Sequence, residues 1–140
     1  AITGGFEVSL NGAGNGVVSG AIATGANEVT KNGSGTWVLA GANTYTGLTR
    51  VNSGSVVFDF STGNIPVAAT NNVQVNLGNL TVRGATTGAT AAAVGVLTLS
   101  AARGPASSLT LDANGGTGVT LTVSTLATAA AAANTLSASL

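Results

Sequence analysis

The sequence predicts an all-β fold, and within that class a β-solenoid in which each turn of chain stacks on the turn before it. Three observations carry this. Apolar and polar residues alternate with period two in run after run, the pattern of a strand with one buried face. Clusters of Gly, Asn and Ser separate the runs and supply the left-handed backbone that tight corners need. Bulk is scarce, with aromatics at 4% of 140 residues and charged residues at 6%. A β-sandwich about 10 Å thick fills its interior with large side chains from two sheets. A narrow coil needs less bulk per residue and gains from ladders of like side chains. An antiparallel sandwich or meander, with Asn-Gly turning hairpins, is the alternative arrangement for the same strands.

Taken in order, the first strand places Phe6, Val8 and Leu10 inward against outward Glu7 and Ser9. Trp37 and Leu39 flank Val38, and Val56, Phe58 and Phe60 alternate with Val57 and Asp59. Val73, Val75 and Leu77 interleave with Gln74 and Asn76, Leu80 and Val82 with Thr81 and Arg83, and Leu97 and Leu99 with Thr98 and Ser100. Leu109 and Leu111 alternate with Thr110 and Asp112, and Val119, Leu121 and Val123 with Thr120, Thr122 and Ser124. Corners are expected at Asn11-Gly12, Asn15-Gly16, Asn32-Gly33, Ser53-Gly54 and Asn114-Gly115. The alanines at 129–133 favour a helix, but they lack an amphipathic stripe and the run is short, so a turn or small-residue stack is expected there. At about 20 residues per turn the chain makes about seven turns, a rod roughly 34 Å long at a strand spacing of about 4.8 Å.

Composition closes many functional routes. The chain has no cysteine, methionine or histidine. Triads built on histidine, Cys-His nucleophiles, zinc fingers, the usual haem and iron–sulfur ligands and disulfides are therefore excluded. Four basic residues against four acidic ones give a formal charge of +0, which offers no phosphate-neutralising patch and argues against nucleic-acid binding. No stretch approaches the roughly 20 apolar residues of a membrane helix, so no membrane insertion of this segment is expected. The opening Ala1-Ile2-Thr3 lacks a basic n-region, as in a mature product or an excised segment.

Candidate chemistry is sparse. Glu7, Glu28, Asp59 and Asp112 lie far apart in sequence, and a glycosidase needs two carboxylates within roughly 5 to 10 Å. Stacked rungs could bring Asp59 and Asp112 together, but both fall on the polar phase of their strands and are expected as solvated outward groups. Lys31 near Ser34 does not make a Ser-Lys dyad without a desolvated lysine, and both residues are expected in the turn before a rung. Gly12 to Gly16 and Gly115 to Gly118 fail the dinucleotide and phosphate-loop spacings. Trp37 and Tyr45 are expected to pack between rungs rather than stack on a sugar. The paired threonines of Thr120-Leu121-Thr122 do not recur at one turn length, as an ice-binding face requires. No catalytic, cofactor-binding or metal-binding residue is assigned, and no cofactor is expected.

One stretch is more specific than periodicity. Lys31-Asn32-Gly33-Ser34-Gly35-Thr36-Trp37-Val38-Leu39-Ala40-Gly41-Ala42-Asn43-Thr44-Tyr45-Thr46-Gly47-Leu48-Thr49-Arg50-Val51-Asn52-Ser53-Gly54-Ser55-Val56-Val57 closely resembles the autotransporter-associated β-strand repeat, also called the passenger-associated transport repeat. Trp37 and Val56 stand where leucine is usual, and both keep an apolar inward residue. The resemblance covers about a fifth of the chain, residues 31 to 58, with degenerate rungs at 73 to 140. It implies a right-handed parallel β-helix and an extracellular or bacterial cell-surface location. Gly33, Gly35, Gly41, Gly47 and Gly54 are expected at rung corners, and the Asn43 side chain is expected to satisfy backbone groups at a bend.

The expected function is accordingly non-enzymatic: a single β-solenoid segment, residues 1 to 140, serving as stalk, spacer or fibre-forming element. A glycan-binding adhesin or polysaccharide-cleaving β-helix is the alternative, although such enzymes cluster Asp or Arg on one face and this chain carries only Arg50, Arg83 and Arg103. Neither end carries a helical or charged cap, and Leu136 to Leu140 alternates like a strand. The expected partners are adjoining repeats of a longer array or an end-to-end copy of itself, with a surface glycan as a further partner.

Overall fold

The computed structural model describes residues 1–100 and 107–128 in full and residues 135–139 as backbone. Among the described residues fourteen strands follow one another: β1 (Ile2–Thr3), β2 (Val8–Leu10), β3 (Gly16–Val18), β4 (Ile22–Ala23), β5 (Val29–Lys31), β6 (Thr36–Leu39), β7 (Thr49–Val51), β8 (Gly54–Asp59), β9 (Val73–Val75), β10 (Gly78–Arg83), β11 (Ala89–Leu99), β12 (Ser108–Asp112), β13 (Gly118–Thr128) and β14 (Thr135–Ser139). They form two six-stranded sheets, ordered β13-β11-β9-β7-β5-β2 and β14-β12-β10-β8-β6-β3, and a β1-β4 pair. From β5 onward the chain visits the two long sheets alternately, so each strand stacks on the strand one coil earlier. Every pairing among the described residues is parallel, the arrangement of a β-solenoid, and the antiparallel alternative is overturned.

The register is uneven. In the β2 sheet, Val8, Val29, Thr49, Val73, Leu97 and Leu126 are successive partners, separated by 21, 20, 24, 24 and 29 residues. A turn of about 20 residues holds for the early rungs and then lengthens. Six strands per sheet span five steps, about 24 Å at the usual strand spacing, rather than the seven turns expected. The extra residues lie in the corners: the segment from Phe60 to Asn72 separates β8 from β9.

Register turns the alternating pattern into columns. In the second sheet, Trp37, Val56, Leu80 and Leu109 stack in one inward column, and Leu39, Phe58, Val82 and Leu111 in the next. In the first, Val29, Thr49, Val73 and Leu97 form one column and Leu10, Lys31, Val51, Val75 and Leu99 another. The apolar side chains of these columns make one continuous core, to which each fully buried Val, Leu or Phe contributes about 1.5–3 kcal/mol. Gly16 faces Trp37 across the β3–β6 ladder, and the side chain it lacks leaves the room the indole fills.

Two details depart from the sequence reading, and one at the end of the chain agrees with it. Phe6 lies outside β2 and is 52% exposed, and Leu77 follows β9 and is also exposed. β11 begins at Ala89, well before Leu97, where the alternation opens in the sequence, because its first half pairs with β13. The alternation at the end of the chain is a strand, β14, parallel to β12. The alanines of 129–133 and Leu140 lie outside the described residues.

Candidate functional site

The stretch that resembles the repeat occupies one full coil, and the structure assigns its polar residues to stitching that coil to its neighbours. Asn43 is buried. Its Oδ1 accepts from the Ile22 N–H at 2.8 Å, and its Nδ2 donates to the Pro66 carbonyl at 2.8 Å. One carboxamide thus satisfies a donor of the coil below and an acceptor of the coil above, where no regular ladder does so. The expectation for Asn43 is met and sharpened: it joins three rungs.

Lys31 departs from expectation. It occupies an inward slot between Leu10 and Val51 and is fully buried. Its ammonium curls to the corner and donates to the carbonyls of Asn32 at 2.8 Å, Gly33 at 2.6 Å and Ser53 at 3.4 Å. An ammonium has three protons to place, and three carbonyls receive them. Burial pulls its pKa below the ordinary lysine value. Gly33 and Gly54, both with positive φ, stack at this corner, and a Cβ on Gly54 would press on the Gly33 and Gly35 carbonyls and on the Lys31 ammonium.

Tyr45 and Thr49 are completely buried, and their hydroxyls share a hydrogen bond of 2.6 Å. Burial pushes the Tyr45 phenol pKa up, with the hydrogen bond to Thr49 acting against it. Tyr45 therefore offers no face to a sugar. Trp37 is half-buried over Gly16 and its indole N–H is enclosed, so the packing expected of both aromatics is what the structure shows.

Sequence reasoning expected ladders of like side chains but placed none, and the structure shows one of asparagines. Asn32 Nδ2 donates to Asn11 Oδ1 at 3.1 Å, Asn52 Nδ2 to Asn32 Oδ1 at 2.9 Å, and Asn76 Nδ2 to Asn52 Oδ1 at 2.7 Å. Each asparagine immediately follows a strand of the first sheet, at the corner after Leu10, Lys31, Val51 and Val75. An Asn one residue past each Leu/Lys/Val/Val slot was the signal that could have revealed it.

The structure brings two of the acidic residues into one column. Asp59, Arg83 and Asp112 are register partners on successive rungs, so the rungs do align the two carboxylates, with the arginine between them. Arg83 lies 3.7 Å from each. The Asp59 side chain is only 11% exposed, which corrects its expected place as a solvated group. Both carboxylates also cap turns, Asp59 on the Ser61 N–H and Asp112 on the Asn114 N–H, each at 2.9 Å. Glu28 is held by Arg50 at 3.2 Å, and Arg50 also donates to Gln74 at 2.8 Å. Each of these contacts runs between or within rungs.

Such geometry defines a parallel β-solenoid segment whose polar side chains hold coil to coil. Residues 29–58 of it match the model of the passenger-associated transport repeat, a family that in general implies an autotransporter passenger-associated structural role and an extracellular or cell-surface location. No curated protein and no solved structure matches the chain.

Proposed function

We propose that the chain is a non-enzymatic structural element of a bacterial surface, a stalk or spacer whose product is length and stiffness. One observation carries the proposal: within the matched repeat, the residue types that could do chemistry are spent on structure. Lys31, Asn43, Tyr45 and Thr49 are buried, and each bonds within the coil or to its neighbours. Arg50 is held by Glu28 and Gln74. The strand edges at the two ends of the sheets support continuation of the stack, either by adjoining repeats of one chain or by a second copy added end to end.

The test is direct. The folded chain is incubated with a panel of surface polysaccharides, with binding followed by glycan array and cleavage by the appearance of new reducing ends. A spacer shows neither. Saturable binding or chain cleavage would replace it with the adhesin or glycan-cleaving alternative.

A further inference from the structure

A cleft of about 840 Å³ opens between the segment that follows β8 and the first half of β11. Its walls carry no charged side chain: Ala42, Thr44, Ile65 and Val67 stand on one side and Ala89 to Ala93 on the other. The coil is interrupted here. Below the cleft, the Asn43 N–H donates to the Ile65 carbonyl at 3.3 Å, as one rung to the next. Above it, β11 pairs along Ala89–Val94 with β13, but its opposite edge meets β9 only from Leu97 to Leu99. The Gly95 N–H reaches the Asn71 carbonyl at 2.8 Å and marks where stacking resumes. Ala89–Val94 therefore presents one strand edge with no ladder partner among the described residues, and that edge faces the cleft.

The chemistry of the site selects its occupant. A parallel-type strand turns the N–H and C=O of every second residue to one side, so six residues offer about three donors and about three acceptors in a row. A small apolar molecule would cover these groups without bonding them, which is costly. A charged ligand would be desolvated against alanine, isoleucine and valine with no counter-ion. An extended backbone answers both demands, because it supplies the matching acceptors and donors and carries side chains of its own. Along the edge, Thr90, Ala92 and Val94 are buried while Ala89 and Ala91 are exposed, so neighbouring side chains on one face must be small or apolar. Ile65, 62% exposed at the mouth, supplies apolar surface for the occupant to cover.

We infer that this cleft is a strand-addition site, which takes an uncharged extended peptide segment of a partner protein onto the Ala89–Val94 edge, between that edge and the Ile65–Val67 rung. The site is independent of the spacer function proposed above. The ladder it extends already exists: β13 occupies the other edge of the same residues in the same manner.

Hydrogen exchange on the whole chain tests it, with a synthetic peptide of the sequence of residues 118–124, Gly-Val-Thr-Leu-Thr-Val-Ser, as the probe. In the free chain, about three amides of Ala89–Val94 exchange at least about 100-fold faster than those bonded to β13. Millimolar peptide slows them about 10-fold or more, and Ile65→Asp, at an exposed position, raises the peptide concentration required about 10-fold without moving the thermal midpoint. Three results overturn the inference. Exchange unchanged by peptide does so, as does equal slowing by a peptide with lysine at every second position. Protection that grows with protein concentration alone does so too, since it assigns the edge to a second copy of this chain.

Discussion

Replacing Asn43 with alanine removes the carboxamide that bridges three rungs. The Ile22 N–H and the Pro66 carbonyl are then left buried without partners, because the side chain between them is itself only 6% exposed and Ile22 is fully buried. A buried backbone group stripped of its partner costs about 1–3 kcal/mol, so the pair costs about 2 to 6 kcal/mol. With a urea slope of about 2 kcal/mol/M, a loss of about 3 kcal/mol lowers the midpoint by about 1.5 M. Urea titration followed by far-UV circular dichroism and Trp37 fluorescence reads both global and local unfolding of the coil. Asn43→Asp separates the two halves of the bridge. It retains an acceptor for Ile22 but directs a carboxylate oxygen at the Pro66 carbonyl. Burial and that carbonyl hold the new carboxyl protonated in the fold to higher pH than in the unfolded chain. The folded state then binds more protons, so the variant gains stability as pH falls through its raised pKa toward the unfolded value of about 3.9. An alanine variant within 0.5 kcal/mol of the parent at unchanged slope, or an aspartate variant indifferent to pH, would refute the stitching role.

Gly54→Ala meets the Gly33 and Gly35 carbonyls and the Lys31 ammonium at φ +69°, whereas Gly63→Ala at φ +78° meets open space. Thermal unfolding should show a loss of about 1 kcal/mol for the second and at least twice that for the first, and equal losses would contradict the packed corner. Asn52→Ala removes both of that residue's ladder bonds and should cost about 1–2 kcal/mol, while Asn11→Ala removes one at the exposed end and should cost about half as much. Alkaline titration tests the buried hydroxyl. The Tyr45 pKa is raised in the fold, so above pH 10 the unfolded chain loses a proton that the folded chain keeps, and stability falls by about 1.4 kcal/mol per pH unit until the folded pKa is reached. Tyr45→Phe abolishes that slope. Lys31, whose folded pKa is lowered, acts with the opposite sign in the window below 10.5, where stability rises with pH.

Strands β6, β8, β10 and β12 were legible because their inward slots hold Trp, Val, Leu and Phe at strict period two. In the other sheet β2, β9 and parts of β11 and β13 were legible by the same alternation, but β5 and β7 were hidden. β5 reads Val-Thr-Lys and β7 Thr-Arg-Val, so a buried lysine and a buried threonine stand where the pattern demands an apolar residue. Their polarity is neutralised by partners that only the folded corner brings into reach: the carbonyls of Asn32, Gly33 and Ser53 for Lys31 and the Tyr45 hydroxyl for Thr49. Asp59 was read correctly as to its polar phase, but its burial beside Arg83, one rung later, was not legible. Rung length was unreadable for a related reason. Corner insertions such as 60–72 shift the phase of every later strand without altering the columns, because the register is fixed by stacking of like residues rather than by spacing. The open edge beside the cleft was invisible as well, since alanines in alternation carry no contrast between faces.

Cysteine cross-linking tests the parallel stack most directly, because the chain contains no cysteine of its own. Ser55 faces Asn79 and Asp59 faces Arg83 in the β8–β10 ladder, and adjacent strands place paired Cα atoms within the 4.4–6.8 Å that a disulfide accepts. The pairs Ser55→Cys with Asn79→Cys and Asp59→Cys with Arg83→Cys should therefore oxidise rapidly, while Ser55→Cys with Arg83→Cys and Asp59→Cys with Asn79→Cys should not. Rapid closure of the second set with failure of the first would mean that these strands run in opposite senses, and no coil of this kind could exist.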